Sequence, residues 1–207
     1  MHLASRRNGS ADAELLVVSP DLRRALPATG IAPDLLSAVQ RWPKARPRLA
    51  ALSETLRADP GAGEAFDTKA CTAPLPRAPQ WLDGSAFLHH GRLLERAFGN
   101  APNPDLETIP LIYQGASDDF LGPHDDVPLP SAEDGIDFEG EFGVIVDEVP
   151  MGTAPEAALS HVLLVVLLND WSLRRHGPRE MRAGFGFLQA KPSTSFAPVA
   201  VTPDEPA

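Results

Sequence analysis

Three carboxylates stand where a folded protein seldom leaves them unaccompanied. Glu139 and Glu141 are two apart in FEGEFGVIV (residues 138–146), so on a strand both side chains leave the same face. Like charges on one face repel and need a cation or a shared proton. On an exposed strand water would screen them. Here the stretch runs on into Phe142, Val144, Ile145 and Val146, which reads as a strand entering a core. A buried carboxylate pair with no partner is costly. Asp170 closes a second apolar run, residues 162–168. Three such groups suggest an oxygen-rich site for a hard divalent cation, Mg²⁺, Ca²⁺ or Mn²⁺. Zinc is a poorer match, because no HxH or CxxC spacing accompanies them. The competing reading is a solvated acidic face. Residues 97–173 contain no Lys or Arg and fifteen Asp and Glu, eleven of them within residues 118–148.

Two further groups could act on a substrate beside such a cation. Asp83 and His90 lie in WLDGSAFLHH, where the imidazole could be a general base near neutral pH. A histidine on a turn is more often simply exposed, and His89, His124 and His176 are read that way. Lys191, one of three lysines, is set among apolar residues in GFGFLQAKPSTSF. A desolvated ammonium stabilises an oxyanion; a snorkelling surface lysine is the plainer alternative.

The elements that must position these groups belong to a protein of 207 residues with 43% hydrophobic and 22% charged residues, globular in composition. Lys+Arg is 18 against Asp+Glu 28, a net charge of −10, which argues against nucleic acid and anionic lipid as partners. The one cysteine, Cys71, excludes an internal disulfide framework and a cysteine metal cluster. MHLASRRNGS carries no apolar signal segment, and the longest apolar run is too short to span a bilayer. These features together read as a soluble, cytoplasmic protein. Residues 13–19 predict a strand. Leu35, Ala38, Val39 and Trp42 predict a helix over residues 34–42, and Leu49, Leu52 and Leu56 a second apolar helical stripe. The Pro-rich stretch 73–79 reads as a linker, with a boundary near residue 75. Beyond it, residues 109–113 and 138–146 predict strands, TAPE at residues 153–156 predicts a helix start, and residues 162–168 fit a buried strand or helix equally.

The stretches QWLDGSAFLHH, PLIYQGASDDF, GIDFEGEFGVIV, LLNDWSLR and GFGFLQAKPSTSFAPVAV, in this order and spacing, resemble the fumarylacetoacetate hydrolase family from about Pro79 onward. The shorter bacterial branch with its own N-terminal module is most similar, residues 1–75 being that module. The resemblance implies an α+β, mainly β fold: a small N-terminal module, then a fumarylacetoacetase-like mixed β-sheet roll over residues 76–207. Family members usually continue well past residues 202–205, with further strands and a glutamate that pairs with the catalytic histidine. The roll is therefore expected to be incomplete and the protein truncated at its C-terminal end.

The same resemblance implies a divalent cation held by Asp83, Glu139, Glu141 and Asp170, chelating a 1,3-dicarbonyl substrate. His90, seven residues after the first of these, would activate the attacking water. Lys191 and Arg174 would stabilise the developing negative charge, and Tyr113 of the YxG turn, with Arg174, would hold substrate. Ser85 and Gly177 stand where eukaryotic members carry a tyrosine and a substrate-contacting glutamine. The implied activity is hydrolysis of a C–C bond in a ketonic substrate, foremost fumarylacetoacetate to fumarate and acetoacetate, at the end of tyrosine and phenylalanine breakdown. The alternatives are a hydratase, isomerase or decarboxylase of 2-oxo acids from aromatic degradation, or a non-catalytic truncated gene product. The implied partners are a small diketo or 2-oxo acid and, in the full-length family member, a second subunit of a homodimer.

Overall fold

The computed structural model describes residues 1–99 and 101–205. Three strands open the sequence: β1 (His2–Arg6), β2 (Glu14–Val18) and β3 (Arg24–Pro27). Their alternate residues Leu3, Leu15 and Val17 are fully buried beneath α1 (Leu35–Val39) and α2 (Trp42–Ala58). The Asp34 carboxylate caps α1 by accepting from the Ser37 N–H at 2.6 Å. The sequence predicts the first helix over residues 34–42, but it ends at Val39 and Trp42 opens the second. Pro43 has no N–H to donate to the Val39 carbonyl, so the first helix cannot run on, while proline suits the first turn of the next. The stripe of α2 packs as read, with Leu49 and Leu56 buried and Leu52 against the same core. A short β4 (Glu64–Ala65) closes this edge.

The remaining strands are β5 (Leu82–Ser85), β6 (Leu111–Gln114), β7 (Ile136–Asp137), β8 (Gly140–Val146), β9 (Val162–Asn169), β10 (Ser172–Leu173), β11 (Ser195–Phe196) and β12 (Val199–Val201). Helices α3 (Leu88–Phe98), α4 (Pro155–Ala158) and α5 (Gly177–Ala183) lie between them. Residues 162–168, equally helix or strand by sequence, are strand β9. It is flanked by β8 on one side and by β11 and β12 on the other. A strand lined on both sides buries most of its length, which explains the unbroken apolar run. β12 pairs antiparallel with β1 through Leu3↔Ala200, so the N-terminal strands and the β8–β9 pair share one eight-stranded sheet. Among the described residues, no helix is long and apolar enough to cross a membrane.

Two strands differ from their sequence expectation. The strand read over residues 109–113 begins at Leu111, after Pro110, which cannot donate to a ladder. The stretch read as entering a core, residues 138–146, is apolar on both faces but covered on one. Phe142 is 77% and Val144 55% exposed, while the alternate residues Glu141, Gly143 and Ile145 are partly covered. Leu164→Ala, deep in β9, is therefore expected to destabilise the protein by about 2–5 kcal/mol. Phe142→Ala should change stability by under about 1 kcal/mol. Chemical denaturation of the 207-residue protein compares the two.

Candidate metal centre

Asp83 and Tyr113 are cross-strand neighbours in the β5–β6 hairpin. The hairpin is seated by Trp81, whose ring packs edge-on to Phe120 and Phe196 at centroid distances of 5.3 and 5.7 Å. The YxG motif explains itself here. A Cβ on Gly115 would lie 2.2 Å from the Trp81 ring, so only glycine lets the turn close over that side chain. Glu141 is presented by β8, opposite Leu168 of β9. Asp170 follows β9 directly, is 1% exposed, and is pinned by its N–H, which donates to the Glu139 carbonyl at 2.9 Å.

These placements bring one oxygen each from Asp83, Glu141 and Asp170 within 4.8 Å of one another. A hard divalent cation binds oxygens at about 2.0–2.6 Å, which puts neighbouring ligands at such separations. Burial first, and then the charges of Asp83, Asp170 and Glu139, push the Glu141 carboxyl up to about 7. Asp83 is raised as well, by burial and then by Asp170. Carboxyls that resist ionisation for want of positive charge fit a cation site, and the all-oxygen donor set suits a hard ion.

Glu139 stands apart from that trio. One of its oxygens accepts from Lys191 Nζ at 2.5 Å, and the other from Arg174 at 2.6 Å. Burial works against its ionisation, but these cations outweigh it and hold the carboxyl below its ordinary range. Lys191 also donates to Asp170 Oδ2 at 2.7 Å, an oxygen that accepts the Tyr113 hydroxyl at 2.8 Å. Burial alone would lower the Lys191 ammonium, yet Asp170 and Glu139 keep it above the usual lysine value. Burial and the two aspartates raise the Tyr113 phenol far above its ordinary value. Both groups therefore stay protonated and donate. His90, on α3, brings Nε2 to 3.5 Å from the Glu139 oxygen that Arg174 also holds.

The residues singled out in the sequence thus gather in one place: Asp83, Glu141 and Asp170 as the convergent trio, Glu139, Lys191 and Arg174 as a charge network, and His90 at its rim. Tyr113 joins through Asp170. Sequence reading missed Thr194, whose hydroxyl donates to the other Asp170 oxygen at 3.2 Å, and Asp137, which accepts from Arg174 Nε at 2.9 Å. Asp137 was detectable, since it extends the Glu139–Glu141 alternation by one step to D-x-E-x-E. Thr194 carries no spacing signal; its contact is made only by tertiary folding.

A mixed α/β fold with a carboxylate-rich centre of this kind defines a candidate metalloenzyme class. The family follows from comparison. Residues 80–207 match the model described as fumarylacetoacetate (FAA) hydrolase C-terminal, and residues 1–77 match fumarylacetoacetase N-terminal domain 2. The chain belongs to the fumarylacetoacetate hydrolase family. It is 34% identical over 106 residues to a 2,4-didehydro-3-deoxy-L-rhamnonate hydrolase of Sphingomonas sp. (strain SKA58), a match spanning 50% of this chain but only 36% of that relative. The fold is similar to the fumarylacetoacetate hydrolase of the psychrophilic Exiguobacterium antarcticum (TM-score 0.67, 18% identity, 100% of this chain and 69% of the other). It is similar also to the maleylpyruvate hydrolase of Sphingobium sp. SYK-6 in complex with manganese(II) and pyruvate (TM-score 0.61, 17% identity, 99% and 68% covered).

Because Glu141 and Asp83 must lose their protons to bind a cation, Mn²⁺ affinity is expected to rise from pH 5 to pH 7.5. Metal-free stability should run the other way. The folded Glu141 carboxyl, at about 7, holds its proton where the unfolded one has lost it, so this contribution fades as pH rises through that range. Glu141→Ala should weaken Mn²⁺ binding by at least about 100-fold, while leaving the metal-free melting midpoint unchanged or raised, since a repelling carboxylate is gone. Titration calorimetry and metal-free melts at the two pH values check these outcomes.

Proposed function

We propose that this protein is the catalytic unit of a divalent-metal-dependent hydrolase that cleaves a C–C bond in a 1,3-diketone acid, with fumarylacetoacetate, giving fumarate and acetoacetate, as the leading substrate. The observation that carries this reading is the meeting of an oxygen trio with an adjoining Lys191–Glu139–Arg174 network and an imidazole at its edge. Asp83, Glu141 and Asp170 would hold the cation. Glu139 would join them only by giving up one of its two cationic partners. When bound, a cation there supplies a Lewis acid for the dicarbonyl oxygens.

The protein's own residues account for the rest. His90 takes a proton from water as the new C–O bond forms at the carbonyl carbon. Glu139 faces that imidazole, with an oxygen 3.5 Å from its Nε2. Lys191 and Arg174, kept fully charged, face the oxygen on which negative charge develops. The C–C bond then breaks, its electron pair passes into the neighbouring carbonyl as an enolate, and a proton from His90 completes the second acid. Tyr113, held protonated, offers a further donor to a substrate oxygen.

A second substrate is favoured by one comparison. The 34% match to a 2,4-didehydro-3-deoxy-L-rhamnonate hydrolase points to a sugar acid cleaved by the same chemistry. Both compounds should be assayed in parallel with Mg²⁺ or Mn²⁺. Hydrolysis yields two acids from one substrate, whereas hydration, isomerisation or decarboxylation does not. His90→Ala is expected to lower kcat by about 10²–10⁴-fold while Mn²⁺ affinity stays within about threefold. Single-product conversion, or an unaffected His90→Ala variant, would refute the reading.

A further inference from the structure

Glu180 is used by none of the steps above, yet its carboxylate is among the most fully engaged in the molecule. It sits in α5, and its two oxygens accept three consecutive backbone N–H groups, from Leu188 at 3.1 Å, Gln189 at 2.9 Å and Ala190 at 3.0 Å. Burial pushes this carboxyl up, but the three donors outweigh it and hold it below the ordinary glutamate range. The next residue in sequence is Lys191.

Ala190, at the end of the loop that Glu180 grips, is buried at 3% exposure, but the residues before it have little else to hold them. Phe185 is 99% and Leu188 83% exposed, so apolar burial does not fix these residues. Two other contacts bear on the loop. The Ala190 carbonyl accepts the Leu173 N–H at 2.8 Å, and Phe187 packs edge-on to Tyr113 at 5.0 Å. Ala190 is thus tied on both sides of its peptide, by Glu180 through its N–H and by β10 through its carbonyl. That fixes where the long Lys191 side chain starts. A lysine with four rotatable bonds can otherwise reach many partners. Here it bridges Glu139 and Asp170 at 2.5 and 2.7 Å, which demands a set origin.

We propose that Glu180 is a positioning residue: by binding the three N–H groups of residues 188–190 it sets the register from which Lys191 spans Glu139 and Asp170. The catalytic part of this assignment rests on the proposed function; the positioning part does not. Glu180→Ala removes the acceptor of all three donors, two of them on exposed residues that water can serve, and frees the loop. Glu180→Gln keeps one carbonyl oxygen to accept and is the intermediate case.

The test uses reductive methylation of the metal-free 207-residue protein at one pH, followed by peptide mass spectrometry. The three lysines are Lys44, Lys69 and Lys191, and the first two are exposed, giving internal references. Lys191 is expected to react at least tenfold faster in Glu180→Ala relative to Lys44 and Lys69, and less so in Glu180→Gln. The buried thiol of Cys71 should stay unreactive to a disulfide reagent, showing that the fold persists. With an active substrate in hand, kcat should fall tenfold or more, with Mn²⁺ affinity within threefold. Unchanged Lys191 reactivity overturns the positioning role. So does exposure of Cys71 in parallel with Lys191 in both variants, which would make Glu180 a fold-wide support. Faster Lys191 modification without loss of hydrolysis would keep the positioning and overturn only the catalytic use of Lys191.

Discussion

Like charge confined in a half-dry space is the constraint to which the rest of the structure answers. Asp83, Glu141 and Asp170 hold oxygens within 4.8 Å of one another. Two ionised groups about 4 Å apart repel by roughly 4 kcal/mol at an effective dielectric of about 20. Such a cluster forms only where the backbone is held by something else. The apolar ladder of β9 with β8, β11 and β12 supplies that hold for Glu141 and Asp170. The Trp81–Phe120–Phe196 cluster supplies it for Asp83. The raised Glu141 carboxyl reflects its burial first and then the repulsion of Asp83, Asp170 and Glu139, which a divalent cation would relieve.

Among the described residues, Lys191 and Arg174 bring positive charge to the site. Both meet the Glu139 carboxylate, and Lys191 continues to Asp170. The four-carboxylate set implied by the family resemblance therefore appears as three plus one, with the fourth carboxylate satisfied by protein cations. Glu139 lies just before β8, where the ladder has ended. Its N–H donates to the Asn169 side chain at 3.0 Å and its carbonyl accepts from Asp170. These two contacts lock the two carboxylate segments together whichever cation the Glu139 side chain serves.

The N-terminal strands contribute at a distance. β1 pairs with β12, which pairs with β9, so one continuous sheet carries order from the first residues to the strand that Asp170 directly follows. Gly135, in the left-handed region at φ +69°, works more locally. It turns the backbone so that its carbonyl accepts the Arg174 N–H at 3.0 Å, which sets Arg174 beside Asp137 and Glu139.

Much of this was legible in the residues alone. The Glu139–Glu141 spacing, the polar tip on the β9 run, the helical stripe of α2 and the motifs around Asp83, His90 and Lys191 depend on local period and residue type, and these survive in any context. Other features were decided by tertiary structure because they depend on what lies opposite. Whether residues 162–168 formed strand or helix depended on β8 and β12 being there to pair with it. Only one face of β8 is partly covered, which the sequence did not reveal because covering layers are not encoded in a strand's own period. Thr194, far from Asp170 in sequence, meets it because β11 returns beside β9. Which carboxylates converge and which pair with Lys191 is a matter of a few ångströms between separate strands, and no spacing along one segment of sequence records such a distance.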